Sequence, residues 1–280
     1  MEKNVLHYFV DTNSSRGFVS FWESNFGKLE KVVKLDGYPD LLVTQLVSQA
    51  CAQALGCEQE VELVHNCLDN SLQGIILPGQ KTGLLNLPAY GDESYSLRLA
   101  EDENLSKARE RVQRAYGCFG QALKIHDDWE RIFISSMDFE AMDELAEETA
   151  EKLFGGQKTD RAGSCADRFF GAATVNGSYD YIPNITQEIP KRYFLKGRPG
   201  TGKSTFLKML ARAAQDRGYR TEAYHCAFDP NSLDMIAVRE LGLCVFDSTA
   251  PHEYFPDRDS DEIIDIYKAA VQPGTDEKYE

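Results

Sequence analysis

Shifted by 160 residues, the segment Phe9 to Asp69 lies over Phe169 to Asp229 without a gap, and this internal repeat limits the fold more than any other feature of the chain. Identical pairs include Phe9 and Phe169, Gly17 and Gly177, Lys31 and Lys191, Leu35 and Leu195, Gly37 and Gly197, Pro39 and Pro199, Glu62 and Glu222, His65 and His225, and Asp69 and Asp229. The order of local patterns carries more weight than the identities. Each copy opens with an aromatic segment broken at a Gly, HYFVDTNSSRGFVSF and RFFGAATVNGSYDYI, whose alternation suits a β-hairpin. A short apolar strand follows (KVVKLDG, RYFLKG), then a turn with proline and a helix-length run. A strand ending in histidine comes next (VELVHNCLD, EAYHCAFD), then Ser-Leu and a second helix-like stretch. With one residue of slippage after Asp69, GLLNLPA falls on LCVFDSTA.

Strand, helix, strand, helix, strand is the rhythm of a parallel sheet with crossover helices, so the expectation is α/β, two tandem units of that kind. The first unit is placed at 1–160 and the second at 168–280, the latter shortened at its C-terminus. Between the repeats, apolar residues recur at a helical period from Leu105 to Ile132, and a second helix starts at an Asp138 cap and stops at Gly155-Gly156. This helical hairpin, about 101–154, is assigned to the first unit. Gly117 and Gly120 either weaken its first helix or mark a close packing contact. Gly91 to Phe154 holds 16 acidic and 8 basic residues, about half of the chain's net charge of -15. The hairpin is thus a solvated face or an arm for a protein partner.

That charge argues against a surface that binds nucleic acid or anionic lipid by bulk electrostatics. No apolar run approaches the roughly 18 residues of a membrane helix, and Met1 to Phe9 lacks the features of a signal peptide. A cytoplasmic location is expected. The seven cysteines are scattered without a CxxC pair, which indicates neither a disulfide framework nor a zinc ribbon.

The strongest motif is Gly197-Arg198-Pro199-Gly200-Thr201-Gly202-Lys203-Ser204, which satisfies GxxxxGK[ST] and sits between an apolar strand and the helix-length run from Thr205. Its glycines allow backbone turns that aim successive N–H groups into one concavity, and the following helix adds its N-terminal partial charge. Lys203 would bridge the outer phosphates of a nucleotide, and Ser204 would ligate magnesium. Asp247, at the end of the strand LCVFD, is placed to hold a water of the magnesium shell. For water activation the candidates are Asp229, then His225, His252 and Glu253. His225 with Cys226 is a weak metal pair. The persistence of His65 and Asp69 in the first copy favours a structural role for that pair.

The first copy carries Gly37-Tyr38-Pro39-Asp40-Leu41-Leu42-Val43-Thr44 at the loop, with Asp40, Leu42 and Val43 for Gly200, Gly202 and Lys203, and Asn86 for Asp247. It is expected not to bind a magnesium nucleotide and to act as a structural or regulatory partner.

GRPGTGKST, YHCAFDPNSLD and VFDSTAPHEY resemble a family of bacterial tandem P-loop ATPases, in which two related halves each carry a phosphate loop and a helical insertion. The loop is also similar to that of AAA+ proteins, but no Asp-Glu pair follows LCVF. The family resemblance implies a P-loop NTPase fold, ATP and Mg2+ as ligands, and hydrolysis. The residues carried over are Gly197, Gly200, Thr201, Gly202, Lys203, Ser204, Thr205 and Asp247. The alternatives are a small-molecule or nucleotide kinase and a nucleotide sensor that hardly turns over.

Overall fold

The computed structural model describes residues 4–35, 38–86, 103–156 and 158–279. The repeat appears as a recurring element order. The first copy runs β1 (Val5–Phe9), β2 (Asp11–Ser14), β3 (Gly17–Ser20), α1 (Trp22–Phe26), β4 (Lys31–Lys34), α2 (Asp40–Gly56), β5 (Val61–His65), β6 (Leu72–Leu77) and β7 (Thr82–Leu85). After α3 (Glu103–Ile134) and α4 (Phe139–Phe154), the second copy repeats the series. It comprises β8 (Ser164–Phe169), β9 (Gly171–Thr174), β10 (Gly177–Asp180), α5 (Ile182–Thr186), β11 (Lys191–Lys196), α6 (Lys203–Asp216), β12 (Arg220–His225), β13 (Leu233–Val238) and β14 (Leu243–Asp247), then β15 (Glu262–Asp265), α7 (Ile266–Ala270) and α8 (Thr275–Tyr279). From β6 and β13 onward the offset is 161 rather than 160, as the slipped alignment requires.

The fold is α/β, but the sheet is mixed where a parallel one was expected. In the first copy β1 pairs with β5 and β7 with β4 in parallel, while β6 runs antiparallel to both β5 and β7. In the second, β11 is parallel to β14 and β15, and β13 is antiparallel to β12 and β14. The two stretches read as second helices are therefore the strands LQGIIL and LDMIAV. Six residues between turns are too few for a crossover helix but suffice for an antiparallel return. Both expected hairpins form, β2 with β3 and β9 with β10.

The chain packs as two compact units, and these are composed differently from the segments 1–160 and 168–280. One contains residues 1–120, 167–187 and 227–230; the other contains 121–166, 188–226 and 231–280. In the first, Val43, Val47, Cys51 and Ala54 of α2 close over Val5, Val61, Leu63 and Ile75. In the second, the strand order is β15-β11-β14-β13-β12, and Phe206, Leu207 and Leu210 of α6 pack on Leu195, Ile236 and Val245.

Helix α4 belongs to that second core. Its Met142, Ala146 and Phe154 are buried with α6, so of the insertion assigned to the first unit, α4 serves the second, while the start of α3 up to Gly120 stays with the first. Its Asp138 caps it as the sequence suggests, accepting from Ala141 N at 3.0 Å. Gly117 and Gly120 of α3 mark no tight contact: a Cβ would meet nothing within 4 Å at Gly117 and only Ser15 O at 3.8 Å at Gly120. Among the described residues no helix is long and apolar enough to cross a membrane, and the cysteines form no disulfide.

Candidate functional site

The GxxxxGK[ST] segment is the connection between β11 and α6, and every group of this site lies in the second compact unit. Gly200 and Gly202 have φ of 77° and 79°, in the left-handed region that costs a glycine little. Gly202 is the N-cap of α6, and Phe206 N closes the first helical turn on Gly202 O at 2.9 Å. Burial of Phe206, Leu207 and Leu210 fixes the start of this helix under the loop. The loop is stripped of side chains where it bends. A Cβ at Gly202 would sit 2.8 Å from Met142 Cε, and one at Gly197 would sit 2.6 Å from Thr201 Oγ1.

Lys203 turns back on the loop, donating to Gly197 O at 2.9 Å and Arg198 O at 3.0 Å, with Asp247 Oδ2 at 3.6 Å. Thr201 is buried and donates to Arg198 O at 2.7 Å, which holds the bend. Ser204 Oγ accepts from Leu233 N at 2.9 Å, and Thr205 is exposed. Asp247 is held at the carboxyl end of β14, where it pairs in register with Leu195 of β11 and accepts from Thr249 N at 3.0 Å and Thr249 Oγ1 at 2.6 Å. Loop, lysine and strand-end carboxylate thus lie together, with the Ser204 hydroxyl on the first turn of α6.

Of the water-activating candidates, Asp229, named first, is not gathered there. Asp229 groups with the other compact unit, where Arg16 Nε binds it at 2.6 Å. The reason is local: the chain leaves β12 at His225, and residues 227–230 accept from the first unit, Phe228 O from Ser15 N and Ala227 O from Thr12 Oγ1. Glu253 is exposed. His252 lies in the segment after β14, donating from its backbone to Thr249 O at 3.0 Å.

The residue that sequence reasoning missed is Asp234. Continuing the antiparallel register that pairs Met235 with Phe246 sets Asp234 opposite Asp247. Burial, and next the charge of Asp247, push its carboxyl up to about 6, against the opposing effects of a Cys226 hydrogen bond, His252 and Lys203. Reading LDMIAV as a strand would have exposed this pairing.

In the first copy the loop has become helix. Helix α2 starts at Asp40, three residues before the position of Lys203, so Asp40, Leu41 and Leu42 are helical where the second copy has its bends. Val43, aligned with Lys203, is buried in the core, and Asp40 Oδ1 accepts from Asn86 Nδ2 at 3.3 Å. Gly37 lies outside the described residues. Comparison of the chain with protein-family models, curated proteins and solved structures returns no match.

Proposed function

We propose that the second repeat binds a magnesium nucleoside triphosphate, ATP as the family resemblance implies, and hydrolyses it. The observation that carries this reading is the loop itself: two left-handed glycines bend the backbone with no side chain at either bend, and Lys203 is parked on its carbonyls beside Asp247. A lysine held by two neutral carbonyls can be drawn off by phosphate oxygens, which offer the stronger charge-assisted bond. The donor set fits magnesium, since the Ser204 hydroxyl and Asp247 carboxylate are hard oxygen groups. Bound there, the cation would supply charge neutralisation for the outer phosphates. The chain's own residues supply backbone N–H groups, the start of α6 and the Lys203 cation.

Hydrolysis is favoured over transfer to a second substrate because the arginines at and after the loop are separately engaged rather than gathered at it. Arg198 pairs with Asp276 at 3.0 Å, Arg217 with Glu151 at 3.3 Å, and Arg212 lies 3.9 Å from Asp216. A phosphate-clamping cluster would require them to converge.

Equilibrium binding of ATP with magnesium tests the reading. Lys203→Ala should weaken binding by at least tenfold, the loss of one charge-assisted contact of about 1.5–3 kcal/mol, while Val43→Ala should leave it unchanged. Equal affinity in wild type and Lys203→Ala would exclude the site. Phosphate release without an added acceptor separates hydrolysis from transfer.

A further inference from the structure

We propose that Asp234 is a positioning residue of the magnesium site, acting with Asp247 as a two-carboxylate clasp on the cation and its water shell. This rests on the nucleotide reading above. Extending the register of β13 and β14 by one residue sets Asp234 across from Asp247, and like charges facing each other on neighbouring strands are destabilising unless a cation offsets them. The Lys203 ammonium lies 3.6 Å from Asp247 Oδ2, and once phosphate oxygens draw it off, as proposed above, the two carboxylates lose that neighbouring charge.

The backbone singles out the same residue. The register between β12 and β13 shifts at Tyr224 and His225, where Tyr224 pairs with Met235 and His225 with Leu233, so Asp234 is the extra residue of a bulge. Bulges of this kind re-aim a side chain beside functional sites. Its neighbour Leu233 donates its N–H to Ser204 Oγ at 2.9 Å, which ties the bulge to the serine that follows the loop lysine.

The first repeat provides the control. There the register shifts at the equivalent point, Val64 and His65, and the bulged residue is Gln73. Continuing the register that pairs Gly74 with Leu85 sets Gln73 opposite Asn86, and Asn86 N donates to Gln73 O at 2.9 Å. The backbone device is kept, yet both carboxylates are amides in the copy whose loop is helical and whose lysine is Val43. A purely architectural pair would have no reason to change charge together with the loop. Neutral amides at the two positions remove the negative charge that a divalent cation requires.

The test is a magnesium titration of ATP binding to the full chain, read by calorimetry. In Asp234→Asn the magnesium concentration at half-saturation should rise about tenfold or more, as loss of a supporting carboxylate does elsewhere. Affinity for ATP without magnesium should stay equal or improve. If wild type binds magnesium-ATP and the variant has the same magnesium midpoint, the role of Asp234 is overturned and the nucleotide site stands. If wild type binds no nucleotide, the nucleotide reading falls and this one with it. Should Asp234→Asn misfold, Asp234→Gln, which copies the first repeat, carries the same expectation.

Discussion

At the scale of single residues, the repeat shows which groups are architecture. His65 is buried between Nδ1, which donates to Asn70 O at 3.0 Å, and Nε2, which accepts from His7 Nδ1 at 2.9 Å. Tyr181 lies against the same ring, with its hydroxyl 3.0 Å from Nδ1. Burial lowers the imidazole to about 4, the Asn70 carbonyl opposing and His7 adding to the effect. The sign follows. Between about pH 6.5 and 4 the unfolded chain takes up a proton that folded His65 refuses, so this contribution is complete above 6.5 and is lost as pH falls toward 4. The loss amounts to about 3 kcal/mol at most. Denaturant unfolding at pH 7 and pH 4.5 should show the stability gap between wild type and His65→Gln narrowing at the lower pH. A constant gap would mean that His65 is not held neutral.

At the scale of elements, the loop and its helix were legible because glycines free to take a positive φ stand at a fixed spacing between an apolar strand and a helix-length run. Asp138 and Gly155 likewise mark the ends of α4. The strands β6 and β13 were not, since an apolar run of six residues has no periodicity long enough to separate strand from helix. That ambiguity hid Asp234, whose significance lies in a cross-strand partner rather than in its neighbours along the chain. Asp229 failed for the converse reason: it follows the β12 strand in sequence, but a turn hands it to Arg16. The loop's glycines also carry packing. A Cβ at Gly200 would lie 2.3 Å from the backbone oxygen of Glu130 in α3, on top of the cost of its positive φ. Gly200→Ala should therefore destabilise the protein by about 1–3 kcal/mol. Gly156→Ala, where a Cβ meets nothing within 4 Å, should change stability by no more than about 0.5 kcal/mol. Equal unfolding midpoints for the two variants would remove the packing role.

At the scale of the whole chain, the repeat is plain in the sequence while the composition of the compact units is not. Homology between the copies is written along the chain, but packing is decided by which apolar face finds a partner, and α4 carries its stripe to α6. The acidic charge of the insertion sits on the face that this stripe leaves over: Asp143, Glu144, Glu147 and Glu148 are exposed or partly so, while Met142 and Ala146 are buried. A segment drawn from the repeat alone, 168–280, would lack Met142, Ala146 and Phe154. Burying those three side chains stabilises the second core by about 5 kcal/mol, close to the whole stability of a small domain. Expressed alone, 168–280 should bind hydrophobic dyes and unfold without a sharp transition, whereas 121–280, which restores α4, should unfold cooperatively. Equal cooperativity of the two fragments would show that α4 is dispensable. The proposed nucleotide site would follow the same divide, because Met142 packs at Gly202 and the loop would lose that support along with the core.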